Sequence, residues 1–217
     1  MPQVKIVNMK IEALLFDLGK VIIDFSMDSM LQELCASCSQ PATEFERVLQ
    51  DPDLVRRYES GQITTRQFYE HLCDLGGLQL NFARFSQLWS SVFADLLISE
   101  ELLRELRRRY PLILVSNTNE SHAKHLSDRY PVLDYFDEKI FSFQVGAMKP
   151  DPRIYEFAIA ASGRRAEALF FTDDREENVQ GARKLGIHAH QFRSEDRLVA
   201  ALQDAGVEVG SFVRRQS

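Results

Sequence analysis

Side chains that could take part in chemistry occur at four separate places in the chain: Asp17, Ser116-Asn117, Lys149 and Asp173-Asp174. If folding brings them together, the three carboxylates cannot all stay ionised without a cation. Because all the available ligand atoms are oxygens, that cation is most naturally Mg²⁺. The lysine and the Ser116 hydroxyl would add a positive charge and a hydrogen-bond donor. This combination suits phosphoryl transfer, with Asp17 as nucleophile and an aspartyl-phosphate as intermediate.

Three of these places directly follow a short apolar segment. Ala13 to Phe16 are continuously apolar and end at Asp17, which is typical of a strand buried on both faces. Leu112 to Val115 and Ala168 to Thr172 have the same character, and polar residues follow both. Ligands bind at the carboxyl ends of the strands in open α/β sheets, so we expect these polar side chains to share one edge.

Further strands and helices alternate through the second half of the chain. Strands are expected at Lys139 to Phe143 and at Ile187 to Phe192. Helices are expected after Ser99, at Glu120 to Arg129, from Asp151-Pro152 to Gly163, at Glu177 to Leu185 and after Ser194. Strands that alternate with helices predict an α/β fold with a parallel, Rossmann-like sheet and right-handed crossovers.

The segment between the first two strands of this sheet has helical spacing instead. Val21 to Phe25 is an apolar run that could form a small hairpin or flap. Thr64 with Gln67 fits a capping box, and Phe82 to Phe93 is a further amphipathic stretch. The connection is far longer than an ordinary one, which predicts an inserted α-helical cap. The cap is assigned to residues 26–97 and the discontinuous core to 1–25 and 98–217.

Composition narrows the classes of function. The chain has 217 residues and a formal net charge of -6, which argues against general affinity for nucleic acid or for an anionic membrane. No apolar run approaches a membrane span, and residues 1–10 lack the apolar stretch of a signal peptide. Cys35-x-x-Cys38 has no second pair to complete a zinc site, so Cys35, Cys38 and Cys73 are interpreted as reduced thiols of a cytoplasmic protein.

Four motifs occur in order: Phe16-Asp17-Leu18-Gly19, Val115-Ser116-Asn117-Thr118, Lys149-Pro150-Asp151-Pro152 and Phe171-Thr172-Asp173-Asp174. Together they resemble the motifs of the haloacid dehalogenase superfamily, and the resemblance covers nearly the whole chain, including a helical cap after the first motif. The adjacent aspartates are similar to those of the phosphatases and not to the true dehalogenases, which use no metal. The Phe-Asp-Leu-Gly and Ser-Asn-Thr-Asn variants resemble the bacterial α-D-glucose-1-phosphate phosphatase branch.

The resemblance implies a role for each matching residue. Asp17 would be the nucleophile and a metal ligand, and Gly19 would lend its backbone carbonyl to the metal. Asp174 would bind Mg²⁺, with Asp173 beside it in the metal site. The remaining roles concern the phosphate: Ser116 and the Asn117 amide would hold it, and Lys149 would stabilise both nucleophile and phosphate.

The chain departs from the family pattern at one position. Most phosphatases of the superfamily carry a second aspartate two residues after the nucleophile, as general acid and base, and this chain has Gly19 there. Four residues could substitute in proton transfer, and each could equally have a plain surface or packing role: Lys20, Glu59, His71 and His122. Without any such group, the rate would depend steeply on the acidity of the leaving alcohol, which favours hexose 1-phosphates over hexose 6-phosphates.

The sequence therefore predicts a Mg²⁺-dependent phosphatase of small phosphate monoesters, with sugar 1-phosphates among the candidate substrates. Its partner would be a small-molecule phosphate ester, with no nucleic acid or membrane, and the protein would be a monomer or weak homodimer. Two alternatives stay open: a 2-haloacid dehalogenase, and a non-catalytic member of the superfamily that binds a phosphoester, for which Gly19 is the main support.

Overall fold

A five-stranded parallel sheet forms the centre of the computed structural model, which describes residues 10–210. Its strands follow the order β5-β4-β1-β6-β7. Their bounds are Ala13–Phe16 (β1), Leu112–Ser116 (β4), Glu138–Phe141 (β5), Leu169–Asp173 (β6) and His188–Gln191 (β7). The expected α/β, Rossmann-like sheet is thus confirmed. The central strands β1, β4 and β6 are buried along their whole length, as their continuous apolar runs require.

Helices cover both faces of this sheet. They are Glu100–Arg107 (α6), Glu120–Arg129 (α7), Ser142–Val145 (α8), Pro152–Ser162 (α9), Glu176–Lys184 (α10) and Glu195–Asp204 (α11). One face packs around Leu14, Leu102 and Leu114, and the other around Leu15, Tyr155 and Phe171. None of the helices among the described residues is both long and apolar enough to cross a membrane.

Five helices lie between the short strands Ile23–Phe25 (β2) and Phe93–Leu96 (β3). They are Asp28–Ala36 (α1), Ala42–Leu49 (α2), Pro52–Glu59 (α3), Thr65–Gly76 (α4) and Phe82–Ser90 (α5). They enclose an aromatic core of their own, in which Tyr58 stacks on Phe68 at 4.3 Å between ring centres and Phe85 stacks on Trp89 at 5.5 Å. The capping box of Thr64 and Gln67 is present at the start of α4. The domain boundaries at 25/26 and 97/98 stay a prediction, and residues 1–9 and 211–217 lie outside the described part of the chain.

The structure corrects four of the expected elements. The stretch Phe82 to Phe93 is not one helix, because α5 ends at Ser90 and Phe93 begins β3. Strand β3 pairs antiparallel with β2, so the apolar run before Phe25 joins a distant partner instead of forming a local hairpin.

The third expected strand, Lys139 to Phe143, ends two residues early. Ser142 begins α8 instead, and its hydroxyl is bonded to Thr118 and to the carbonyl of Glu59, which draws the chain away from the sheet edge. The fifth expected strand, Ile187 to Phe192, is shorter at both ends and covers His188–Gln191.

Candidate active site

A buried lysine joins two carboxylates where the central strands end. Asp17 directly follows β1, Asp173 is the last residue of β6, and Lys149 lies in the loop before α9. The Lys149 Nζ atom is 2.6 Å from Asp17 Oδ1 and 2.6 Å from Asp173 Oδ2. It also donates to the Val115 carbonyl at 2.8 Å, so all three of its N–H groups have partners. The structure thus brings these predicted site residues together, with Lys149 only 4% exposed.

Three carboxylates at this place could hold a metal ion. One oxygen each of Asp17, Asp173 and Asp174 lie within 4.8 Å of one another. Asp173 is held in place by the backbone N–H of Arg175 and by the side chain of Asn178, both at 2.9 Å from its Oδ1 atom. An all-oxygen site of this charge fits a hard cation such as Mg²⁺. Gly19, whose carbonyl was predicted as a further ligand, lies in the wall of the adjoining cavity, and its role stays a prediction.

The electrostatics show why these carboxylates need a partner cation. Burial raises the pKa of Asp17 to about 7, because the attraction of Lys149 only partly offsets it and Asp173 adds repulsion. Burial opposes the charge of Lys149 too, but Asp17 and Asp173 outweigh it and raise the pKa of its ammonium group. Burial and the neighbouring Asp173 likewise raise the pKa of Asp174. Asp17 and Asp174 are thus short of positive charge, which a divalent cation would supply.

The loop after β4 lies beside this cluster. Ser116 is 3% exposed and, with Asn117, lines the adjoining cavity. The side chain of Asn117 is used structurally: its Nδ2 donates to the Lys149 carbonyl at 2.9 Å and its Oδ1 accepts from the Lys149 N–H at 2.7 Å. This pair of bonds fixes the lysine loop against the loop after β4. The phosphate contact predicted for the Asn117 amide stays a prediction.

A cavity of about 460 Å³ opens between this loop and the helical segment. Its polar wall includes Gly19, Ser116, Asn117 and Glu59. The remainder is largely apolar. Leu18 comes from the loop after β1, and the other side chains come from β2, β3, the segment between them and α7: Phe25, Met27, Leu31, Leu49, Val55, Phe68, Trp89, Val92, Phe93 and Leu126. The cavity thus has the size and the largely apolar lining typical of a site for a small organic ligand.

A hydrogen-bond network at the cavity wall was not foreseen from the sequence. Asn119 Oδ1 accepts from the Tyr58 hydroxyl and from the His122 N–H, both at 3.0 Å. His122 Nε2 lies 2.7 Å from the Trp89 carbonyl, so it must carry the proton, and Nδ1 then accepts from Asn119 Nδ2 at 3.1 Å. The network ties the helical segment to the core. Asn119 had a signal in the sequence only as the cap of α7, a role it also fills.

Phe25 occupies the space beside Gly19. A Cβ atom placed on Gly19 would lie 2.9 Å from Phe25 Cε1, closer than such contacts normally come. Gly19 is not among the residues of positive φ, so the obstacle to a larger residue is the aromatic ring and not the backbone angle. A side chain at the position where most phosphatases of this type carry their second aspartate would therefore have to displace the Phe25 ring here.

Comparison with known proteins finds relatives that match most of this chain. The chain is 28% identical over 189 residues to D-ribitol-5-phosphate phosphatase of Bacteroides thetaiotaomicron, an alignment that covers 83% of this chain and 91% of that protein. It is also 28% identical over 178 residues to (S)-2-haloacid dehalogenase of Pseudomonas sp., covering 80% and 75%.

A solved structure of a HAD family enzyme from Bacteroides thetaiotaomicron, in complex with magnesium and inorganic phosphate, superposes with a TM-score of 0.74 at 27% identity and covers 85% of this chain and 95% of that chain. Residues 11–186 match the haloacid dehalogenase-like hydrolase family, and since this match spans most of the chain, the protein belongs to that family.

Proposed function

We propose that this protein is a Mg²⁺-dependent phosphatase that hydrolyses small phosphate monoesters through an aspartyl-phosphate on Asp17. The observation that carries the proposal is the Asp17-Lys149-Asp173 bridge, with Asp174 within reach of the same cation. A 2-haloacid dehalogenase, the first alternative, has no need of a three-carboxylate cluster. The relatives with phosphatase names and the neighbour solved with magnesium and phosphate support the same choice.

Each residue of the cluster has a role in this reaction. Asp17 attacks phosphorus, and the ester P–O bond breaks as the aspartyl-phosphate forms. Lys149 neutralises charge on Asp17 and on the arriving phosphate, and Asp173 holds the lysine in place. Ser116 and the backbone N–H of Asn117 bind the phosphate oxygens. A bound Mg²⁺ would lower the repulsion between the carboxylate nucleophile and the anionic ester.

The organic part of the substrate would lie in the cavity. A sugar 1-phosphate was the sequence-based choice, and the ribitol phosphate of the relative's name is an open-chain counterpart. Most of the lining is apolar, and Tyr58, Asn119 and His122 already bond one another. On the wall formed by the helical segment, Gln50 and Glu59 are the polar side chains that remain for sugar hydroxyls. This lining favours a compact organic group with apolar surface over a hexose.

A panel of phosphate esters assayed with and without Mg²⁺ tests the proposal. It should include a hexose 1-phosphate, a hexose 6-phosphate, ribitol 5-phosphate, an aryl phosphate and, for the dehalogenase alternative, 2-chloropropionate. Asp17→Asn keeps the shape of the side chain but removes the nucleophile, and we expect turnover to fall by at least about 10³-fold.

Retention of wild-type turnover by Asp17→Asn would reject the mechanism. Chloride release without Mg²⁺ would select the dehalogenase, and tight ester binding without turnover would select the non-catalytic alternative. A cytoplasmic location and a monomer or weak homodimer belong to the same proposal, and size-exclusion chromatography tests the second.

A further inference from the structure

The proposed reaction needs a proton donor for the leaving oxygen, and Gly19 cannot supply one. The ring of Phe25 fills the space where a side chain on Gly19 would begin. A donor must therefore come from another wall of the cavity. Four candidates carry suitable groups, one next to the first motif, two on the helical segment and one on α7, and the structure separates them: Lys20, Glu59, His71 and His122.

Three of the four are unsuited by their positions. Lys20 points to Asp24 at 2.5 Å and lies over the Phe25 ring, and it is not part of the cavity wall. His71 is bonded to the Gln67 carbonyl on α4, also away from the cavity wall. His122 does line the cavity, but one ring nitrogen donates to Trp89 and the other accepts a hydrogen bond, so no proton is available for transfer.

Glu59 differs from these three in both place and partners. It is the last residue of α3 and lines the same cavity as Gly19, Ser116 and Asn117. Among the residues that the structure describes, none forms a hydrogen bond or ion pair with its carboxylate. The opposing charge that acts on it is that of Arg175, the neighbour of Asp174. Glu59 thus shares the cavity with Ser116 and Asn117 of the loop after β4 (the phosphate loop), and it feels the charge of the residue next to Asp174.

The backbone around Glu59 is held against the core. The Ser142 hydroxyl donates to the Glu59 carbonyl at 2.6 Å. The hydroxyl oxygen of Ser142 also accepts from the N–H of Thr118 in the phosphate loop at 2.9 Å. Two residues later, Gly61 has a φ of +72° and passes so close to the Phe143 carbonyl that a Cβ there would be 2.1 Å from the oxygen. The turn that carries Glu59 is therefore fixed relative to the phosphate loop.

We propose, on the basis of the function above, that Glu59 is the general acid and base that replaces the missing aspartate at Gly19. In the first step Asp17 attacks phosphorus, the ester P–O bond breaks, and the leaving oxygen takes the proton of Glu59 to become an alcohol. In the second step the Glu59 carboxylate takes a proton from a water whose oxygen attacks the aspartyl-phosphate. Inorganic phosphate leaves, Asp17 is again a carboxylate, and Glu59 is again protonated.

The environment of Glu59 favours the protonated form that the first step needs. Burial raises the pKa of its carboxyl group, and Arg175 opposes this only in part. Its position at the carboxyl end of α3 acts in the same direction, because the helix dipole disfavours negative charge there.

Glu59→Gln tests the proposal, since it keeps size and polarity but cannot transfer a proton. For a primary alkyl phosphate we expect kcat/KM to fall by about 10²–10⁴-fold. For 4-nitrophenyl phosphate, whose phenolate leaves unprotonated, kcat/KM should change little while kcat falls. The reason is that the second step is slowed, so a burst of nitrophenol should appear and a phosphoryl group should accumulate on Asp17, visible by mass spectrometry after acid quench.

Two variants separate proton transfer from a structural role. Glu59→Asp retains the acid and should recover part of the alkyl-ester activity, and Glu70→Gln on the exposed face of α4 should behave as wild type. Equal losses on both ester classes without a burst, or an unchanged dependence on the leaving group, would overturn the assignment to Glu59 while leaving the phosphatase intact. A wild-type protein that turns over no ester at all would reject the proposed function and this inference with it.

Discussion

His122 should make the stability of the protein sensitive to mild acid. Burial lowers the pKa of His122 from 6.5 to about 4, and the hydrogen bond to the Trp89 carbonyl opposes this only in part. Protonation of Nδ1 would also remove the acceptor for Asn119 and so break the network between the helical segment and the core. The native state therefore favours the neutral ring, whereas in the unfolded chain the ring takes up a proton near its ordinary pKa of 6.5.

The sign and size of the effect follow from this difference. Above pH 6.5 the ring is neutral in both states and its contribution is fully present; as the pH falls from 6.5 toward 4, only the unfolded state gains a proton, so the free energy of unfolding falls. At about 1.4 kcal/mol per pKa unit, the loss approaches about 2 kcal/mol at pH 5 and about 3 kcal/mol once both states are protonated.

Urea unfolding at pH 7 and pH 5, in the presence of a chelator, measures this loss. His122→Gln should be less stable than wild type at pH 7, but its stability should drop between the two pH values by about 2 kcal/mol less than that of wild type. The other titrating groups are common to both proteins and cancel. His188→Gln, at an exposed position, is the matched control. An equal pH dependence in wild type and His122→Gln would refute the reasoning, as would NMR signals that show the His122 ring titrating near 6.5.

Two further predictions concern the metal and the space beside the nucleophile. Asp174→Ala should weaken Mg²⁺ affinity by more than about 10-fold in calorimetric titration, since even an outer-shell partner of a metal is worth about 10–100-fold. The melting temperature in chelator should not fall, because burial already disfavours the charge of Asp174. An unchanged affinity would move the metal elsewhere. Gly19→Asp alone should lower thermal stability, because its Cβ meets the Phe25 ring at 2.9 Å. Combined with Phe25→Ala it should fit, and in a Glu59→Gln background this pair should restore part of the turnover of alkyl esters, which Phe25→Ala by itself should not do.

The sheet and the grouping of its polar residues could be predicted because each strand, with the polar residues that follow it, is marked by a local pattern in the sequence. Each central strand is an uninterrupted apolar run, as in Ala13–Phe16, and parallel strands put their carboxyl ends at one edge. That is sufficient to expect Asp17 near Asp173, which the Lys149 bridge shows directly. Their catalytic and metal-binding roles are not fixed by proximity and are left to the variants above.

The misplaced elements share a dependence on distant partners. Phe93–Leu96 continues the amphipathic spacing of α5, and it becomes a strand only because β2 pairs with it from the far side of the helical segment. Tyr58 reads as an ordinary core residue of α3, yet its hydroxyl bonds Asn119, which is 61 positions away. Helical periodicity and capping patterns carry no information about such contacts, so neither β3 nor the network could be read from the sequence.

Phe25 gives the missing aspartate a structural reason and links it to Glu59. Its ring closes the space beside Gly19 and also forms part of the apolar cavity wall, so the side chain that shapes the cavity is the one that excludes an acid from the first motif. An acid on α3, which lines the same cavity, would reach the leaving oxygen without taking up this space. Proton transfer then depends on the helical segment lying against the core, as the Ser142 bonds to Glu59 and Thr118 hold it here. A Ser142→Ala variant should accordingly lower kcat/KM for alkyl esters more than for 4-nitrophenyl phosphate. The reason is that the substitution loosens the proton donor Glu59 and leaves the nucleophile Asp17 in place.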